Sequence, residues 1–280
     1  MKNFILLTSM TLFSIVATAQ EVMKIEKVDG TTIKYDVSDI NRVYFANEEN
    51  ESTETTKRLV RIDVTEVEGS YYEHDLFILK YDSEGRLDSY DRSGNEVNYT
   101  YRDGVFYEEY DNKEKYSYYL LGDKISHGIY SSSENFSFSY DAAGKLERFT
   151  IEEGSYFDYQ KYTWSGNQLT EAFFTEANQE GKWSRSFTYD RKTCEGYNPV
   201  LVMYGLEDDI DEIMPIIAKP ELAGFMTNEL PVSMNEVVEE EEADTLNFTY
   251  ELGADGYLIF CRAQWTDSED AYTEYRFIWE

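Results

Sequence analysis

The sequence predicts an all-β protein: an antiparallel β-meander curved into an open or closed barrel, with a small helical insert near 206–235. Three observations carry this. Apolar and polar residues alternate with a period of two, as in Phe136, Phe138 and Tyr140 against Ser137 and Ser139, and Tyr275, Phe277 and Trp279 against Glu274 and Arg276. Turn signals recur at regular spacing between such stretches. Tyrosine contributes 25 residues, and all four prolines fall between 199 and 231, so nothing in 58–198 forbids continuous ladders.

Taken in order, residues 1–19 read as a secretory signal peptide. Lys2 supplies the positive start, Phe4 to Val16 the apolar stretch, and Ala17-Thr18-Ala19 a small-x-small cleavage site. Cleavage between Ala19 and Gln20 leaves no cysteine to carry a lipid, so the protein is expected to be periplasmic or secreted and not a lipoprotein. Residues 20–46 alternate around Asp29-Gly30 and predict a β-hairpin module. Residues 47–57 are acidic and hydroxyl-rich without a large apolar side chain, and predict a flexible linker.

The barrel domain is expected over 58–280. YDSEGRL (81–87) and YDAAGKL (140–146) are near copies, with looser versions at YRDGVF (101–106), WSGNQL (164–169) and YELGADGYL (250–258). The anchoring aromatics Tyr81, Tyr101, Tyr140, Trp164 and Tyr189 stand at multiples of about twenty residues, the length of one hairpin with its turns. The Asp can accept hydrogen bonds from its own turn, and the Gly three residues on takes a conformation other residues resist. The flanking Tyr and Leu are then free to pack across the strand pair.

The period changes after 198. Leu206, Ile210, Ile213, Ile216 and Ile217 recur at helical spacing, Asp208 and Asp209 suit a first turn, and Pro215 is expected to kink or end the run. ELAGFMTNELPVSM (221–234) follows as a second compact piece before the sheet resumes. The insert is expected to cover one end or one face of the sheet.

Charge excludes some functions. Twenty-five basic residues oppose 56 acidic ones, a formal net of -31, and such a field repels nucleic-acid backbones and anionic lipid. Two histidines, His74 and His127, offer no zinc or triad constellation, and no GxSxG, phosphate loop or HExxH is present. No enzyme, cofactor or metal site is expected. The clusters at Asp208–Glu212, Glu239–Glu242 and Asp267–Asp270 lack calcium-loop spacing and read as solvated surface. Among 56 acids some pair will stand at glycosidase distance by chance, so paired carboxylates carry no signal.

Two tryptophans stand out as candidate ligand-binding residues: Trp164 beside a turn in YTWSGN and Trp183 in EGKWSRS. The alternative for each is a ring folded back over the sheet. Cys194 and Cys261 could form a single disulfide in an oxidising compartment or remain as two thiols.

The strands carrying YD-x-x-G-[KR]-L, the segment ELAGFMTNELPVS and the closing FTYELGADGYL…YRFIW together resemble a domain of unknown function with a porin-like fold, found in exported proteins of Gram-negative gut bacteria. The resemblance covers about 58–280 and implies a porin-like barrel, with no catalytic or binding residues to carry over. The YD turns also resemble those of Rhs-type toxin shells, which need far more chain to enclose a cargo.

The functional expectation is an exported, non-enzymatic binding or carrier module, acting as a monomer on an apolar or glycan ligand or a protein partner. The alternatives are a structural or interaction module with a filled core, and an outer-membrane barrel. Strands that read short and sparse aliphatics weigh against the last.

Overall fold

The computed structural model describes residues 22–26, 32–36, 57–110, 113–130, 134–176, 178, 181–206, 213–239, 243–268 and 270–280. The expected signal peptide with its Ala19–Gln20 junction, the Asp29-Gly30 turn, the linker up to 56 and the acidic runs at 208–212 and 240–242 lie outside these residues. The chain divides into two units, between Glu54 and Thr55. In the first, β1 (Val22–Glu26) and β2 (Thr32–Asp36) pair antiparallel, Val22 opposite Asp36 and Glu26 opposite Thr32.

The second unit is a closed barrel. Its wall begins with β3 (Leu59–Glu68), β4 (Tyr71–Tyr81), β5 (Leu87–Arg92), β6 (Asn95–Arg102) and β7 (Val105–Tyr110). It continues through β8 (Lys113–Leu121), β9 (Lys124–Tyr130), β10 (Glu134–Tyr140), β11 (Leu146–Glu153) and β12 (Tyr156–Ser165). It ends with β13 (Gln168–Glu176), β14 (Gly181–Thr193), β15 (Glu229–Val238), β16 (Asp244–Leu252), β17 (Leu258–Trp265) and β18 (Ala271–Trp279). Every strand pairs with its neighbours in sequence, and β18 returns to β3, Ala271 opposite Glu68 and Trp279 opposite Leu59. A sheet closed in this way has no free edge.

The repeat explains how successive hairpins lock. In the two near copies, Asp82 Oδ1 accepts the N–H groups of Glu84 and Arg86, and Asp141 Oδ1 those of Ala143 and Lys145, all at 2.8–2.9 Å. Gly85 and Gly144 take φ of 79° and 77°, which an L side chain resists. The Leu that closes each motif is buried, and its carbonyl accepts from the next repeat's aromatic: Tyr101 Oη to Leu87 at 2.8 Å, Trp164 Nε1 to Leu146 at 2.8 Å. Tyr81 to Leu59, Tyr140 to Ile125, Tyr189 to Leu169 and Trp279 to Leu258 repeat the bond around the same end of the barrel. The motif's basic residue lies over that aromatic, Arg86 at 4.4 Å from the Tyr101 centroid and Lys145 at 5.0 Å from that of Trp164.

Alternation sorts the wall. Val97 and Tyr99, Phe136, and Leu246 and Phe248 are buried inside, whereas Glu96, Asn98 and Thr100, Asn135, Ser137 and Ser139, and Asn247, Thr249 and Glu251 are exposed outside. Strands facing lipid alternate the other way, apolar out and polar in. β4 and β14 run to 11 and 13 residues, longer than the sequence suggested. In β14 the exposed Lys182, Ser186, Thr188 and Asp190 extend the strand without leaving an apolar trace, and strand length no longer weighs against the outer-membrane alternative.

Inside, an aromatic ladder crosses the wall from Phe77 through Tyr90, Tyr99, Phe106, Tyr118 and Phe136 to Phe149, with neighbouring centroids 4.4–6.4 Å apart. Rings at these separations add to the burial of their own area.

The connection between β14 and β15 turns into this interior. It holds helix α1 (Pro199–Gly205), helix α2 (Met214–Ala218) and a 3-10 turn over Pro220–Ala223. Asn198, fully buried, caps α1 by accepting from Val200 N–H at 3.1 Å, and donates to Glu229 O at 3.0 Å, so one side chain ties entry to exit. Phe225 stands edge-on to Tyr162 and Trp164, Tyr197 to Trp279, and Tyr204 to Phe248. Lys124 and Lys145 from two wall turns donate to Glu221 O and Met226 O, tying the insert to the wall.

The insert therefore fills the barrel rather than covering an end or a face. Its helices begin at Pro199, not Leu206, which is instead the C-cap of α1. Pro215 stands in the first turn of α2, where the missing N–H costs nothing, rather than ending a helix. Residues 229–238 are strand, and Pro231 is accommodated where the β14–β15 register shifts beside Tyr189.

The disulfide left open by the sequence is not formed: Cys194 and Cys261 are free, buried thiols. Cys194 sits at the root of the insert, its N–H donating to Asn228 O at 3.0 Å, whereas Cys261 lies within the wall between Tyr250 and Tyr275. Burial pushes the Cys194 thiol up to about 12 and raises that of Cys261 as well. Iodoacetamide at mildly alkaline pH is expected to spare both thiols in the folded chain and to label both after unfolding. A mass lower by two hydrogens under non-reducing conditions would overturn this.

Candidate functional site

A cavity of about 420 Å³ opens at the mouth opposite the repeat turns, where β11 to β15 come together. Trp183, near the start of β14, pairs with Phe174 on one side and Val238 on the other. Its indole stacks on the buried Phe174 ring, centroids 5.4 Å apart and planes 11° off parallel. Asp158 and Gln160 enter from β12, beside their cross-strand partners Ile151 and Phe149 on β11.

Arg185, two residues along from Trp183, sets the electrostatics. Its Nε donates to Glu236 Oε2 at 2.5 Å, Nη1 donates to Tyr204 O at 3.2 Å, and the guanidinium lies over Phe174 at 5.2 Å. The Glu236 carboxylate is thus balanced in place, and the cavity presents an aromatic surface, an amide and a carboxylate. This combination can stack on the apolar face of a ring and accept hydrogen bonds from its hydroxyls.

Of the two tryptophans singled out by the sequence, only Trp183 lines this cavity. Trp164 lies at the other end, bonded to Leu146 O and set against Phe225, where it seats the insert. Its position in the repeat, equivalent to Tyr81 and Tyr140, is the signal for that role. His74 lies 4.0 Å from Asp63 and His127 stacks on Tyr119, away from the cavity. Asp158, Gln160, Arg185 and Glu236 were missed by sequence reasoning. In YFDYQKYTW, Asp158 and Gln160 share the parity of Tyr162 and Trp164, so polar residues at inward positions were the available sign.

A hollow of about 330 Å³ at the repeat-turn end involves Arg86 and Lys219, but Arg86 is engaged by Asp82 and Glu84. Among the described residues no group of three His, Cys, Asp or Glu side chains could hold a metal ion, and no helix is long and apolar enough to cross a membrane.

No family model matches the sequence, and no curated protein does either. Solved structures do resemble the fold. A porin-like protein from Bacteroides uniformis ATCC 8492 aligns with TM-score 0.60 at 16% identity, over 79% of this chain and 96% of that one. A porin-like protein from Bacteroides vulgatus ATCC 8482 aligns with TM-score 0.56 at 15% identity, over 78% and 97%. The fold is therefore a porin-like, sixteen-stranded antiparallel barrel.

Proposed function

We propose that this chain is an exported, non-enzymatic binding module that takes a small ligand into the mouth cavity beside Trp183. The observation that carries the reading is that cavity: about 420 Å³ with a stacked Trp183–Phe174 pair beside Asp158 and Gln160. The leader-like segment 1–19 supports export to the periplasm or beyond. The non-enzymatic reading is supported by Glu236 being committed to Arg185 and by a lining that, among the described residues, includes no histidine, serine or cysteine. The polar outer face favours a water-exposed barrel over one set in lipid.

Native mass spectrometry of the mature chain, purified from the periplasm of an exporting bacterium, tests this. A co-purified mass lost on denaturation is expected, and Trp183→Ala is expected to weaken its retention about tenfold or more. Trp164→Ala should keep the ligand while lowering stability. Retention unaffected by Trp183→Ala would sink the assignment. A clean ligand-free mass would favour a second reading, a structural or interaction module, which the filled interior also supports.

A further inference from the structure

We infer that the ligand has two parts: a hydroxylated, non-anionic head in the Trp183 cavity, and an apolar tail that crosses Ile151 into a second cleft. This rests on the binding reading above and names its substrate class. The second cleft, about 140 Å³, shares Phe149 and Ile151 with the first as lining, so the two hollows adjoin across that pair of side chains. Their chemistry differs. The first carries Asp158, Gln160 and the Glu236–Arg185 pair. The second is walled by Phe138 and by Tyr130, which stacks on Tyr116 at 4.3 Å, and includes Ile213 and Ile216 of the insert. Among the described residues lining that cleft, Glu134 is the charged one.

A ligand spanning both hollows must change from polar to apolar along its length. An anionic head is disfavoured because Asp158 and a formal charge of -31 repel it, while Arg185, the cation at the cavity's edge, is already held by Glu236 and Tyr204 O. The stacked Trp183 offers a flat surface suited to the C–H face of a sugar-like ring. The tail follows from burial: each methylene leaving water adds about 0.8 kcal/mol, roughly a fourfold gain in affinity. Since the tail rests against Ile213 and Ile216, each 4% exposed, occupancy also braces the insert.

The test is titration calorimetry of the full mature chain with methyl and hexyl β-glycosides of glucose, galactose, mannose and N-acetylglucosamine, below the concentration at which micelles form. At least one hexyl glycoside is expected to bind about tenfold or more tightly than its methyl partner, and hexyl phosphate more weakly than that glycoside. Phe138→Trp, which narrows the second cleft and does not line the first, should erase the tail's gain and keep the methyl glycoside's affinity. The wild-type comparison decides the matter even if that variant does not fold. Equal binding of methyl and hexyl partners overturns the two-part ligand and leaves the binding reading standing. Failure of every glycoside overturns it too, and a ligand-free native mass would then remove the binding reading as well.

Discussion

Replacing Gly128 with valine is expected to destabilise the barrel by about 3 kcal/mol or more, at the upper end of what overpacking costs. Gly128 lies on β9 opposite Tyr118 of β8 and Phe136 of β10. The ring of Phe136 occupies the space a side chain would need: a β-carbon on Gly128 would stand 2.0 Å from Phe136 Cζ and 2.6 Å from the carbonyl oxygen of Ser117. The ring can move only by leaving Tyr118 and Phe149, whose centroids are 5.4 and 6.1 Å away, so relief at one point breaks the ladder at two others. The backbone oxygen belongs to the β8–β9 pairing and cannot yield without disturbing it. Urea unfolding followed by circular dichroism would read the loss as a lower midpoint at unchanged slope. Ser137→Val on the exposed face of β10 serves as the control, expected within about 0.5 kcal/mol of wild type. Phe136→Leu should restore part of the stability of Gly128→Ala, because the two positions share one space. A Gly128→Val chain as stable as wild type would mean that the ladder does not pass through this point.

Phe225→Ala is expected to cost about 3–5 kcal/mol, the usual range for emptying a buried phenylalanine site. The ring is 0% exposed and is wedged edge-on to Tyr162 and Trp164, each 5.4 Å away, with α1 leaning on it at Gly205. The neighbouring Gly224 has φ of 68° and lies where a β-carbon would come within 2.5 Å of Gly144 O, so the backbone presses against a repeat turn and cannot collapse into the void. For a chain of this size the loss corresponds to about 10 °C in the thermal midpoint. Binding of a methyl glycoside should survive at temperatures where the variant is folded, because Phe225 serves the repeat-turn end and Trp183 the opposite mouth. An unchanged midpoint would show that the insert is not seated through this ring; lost head binding with a small stability change would tie the two ends together more closely than described.

Legibility in the sequence followed the range of the interaction. The YD-x-x-G-[KR]-L motif is local: the Asp, the glycine with positive φ and the inward Leu act within seven residues, and their spacing could be read directly. The inward aromatics Phe136 and Phe138 were equally plain, because period two is itself the geometry of a strand. What those aromatics touch was not legible. Trp164 and Trp183 look alike in their sequence contexts, yet one seats the insert and the other lines a cavity, since the partners Phe225 and Phe174 are chosen by folding. Arg185 and Glu236 are 51 residues apart and become neighbours only because the insert between them folds inward and returns β15 to β14.

By itself, then, the sequence determined an all-β antiparallel meander with turn-locked hairpins, a strongly acidic character and a helical interruption late in the chain. Only the tertiary structure decided that the meander closes, that the interruption fills the barrel, that the cysteines stay apart, and that one tryptophan faces an open cavity. The physical reason is that alternation and turn chemistry act between residues close in sequence. Closure of β18 on β3, the seating of Phe225 and the Arg185–Glu236 pair depend on packing between distant segments, which no local pattern encodes.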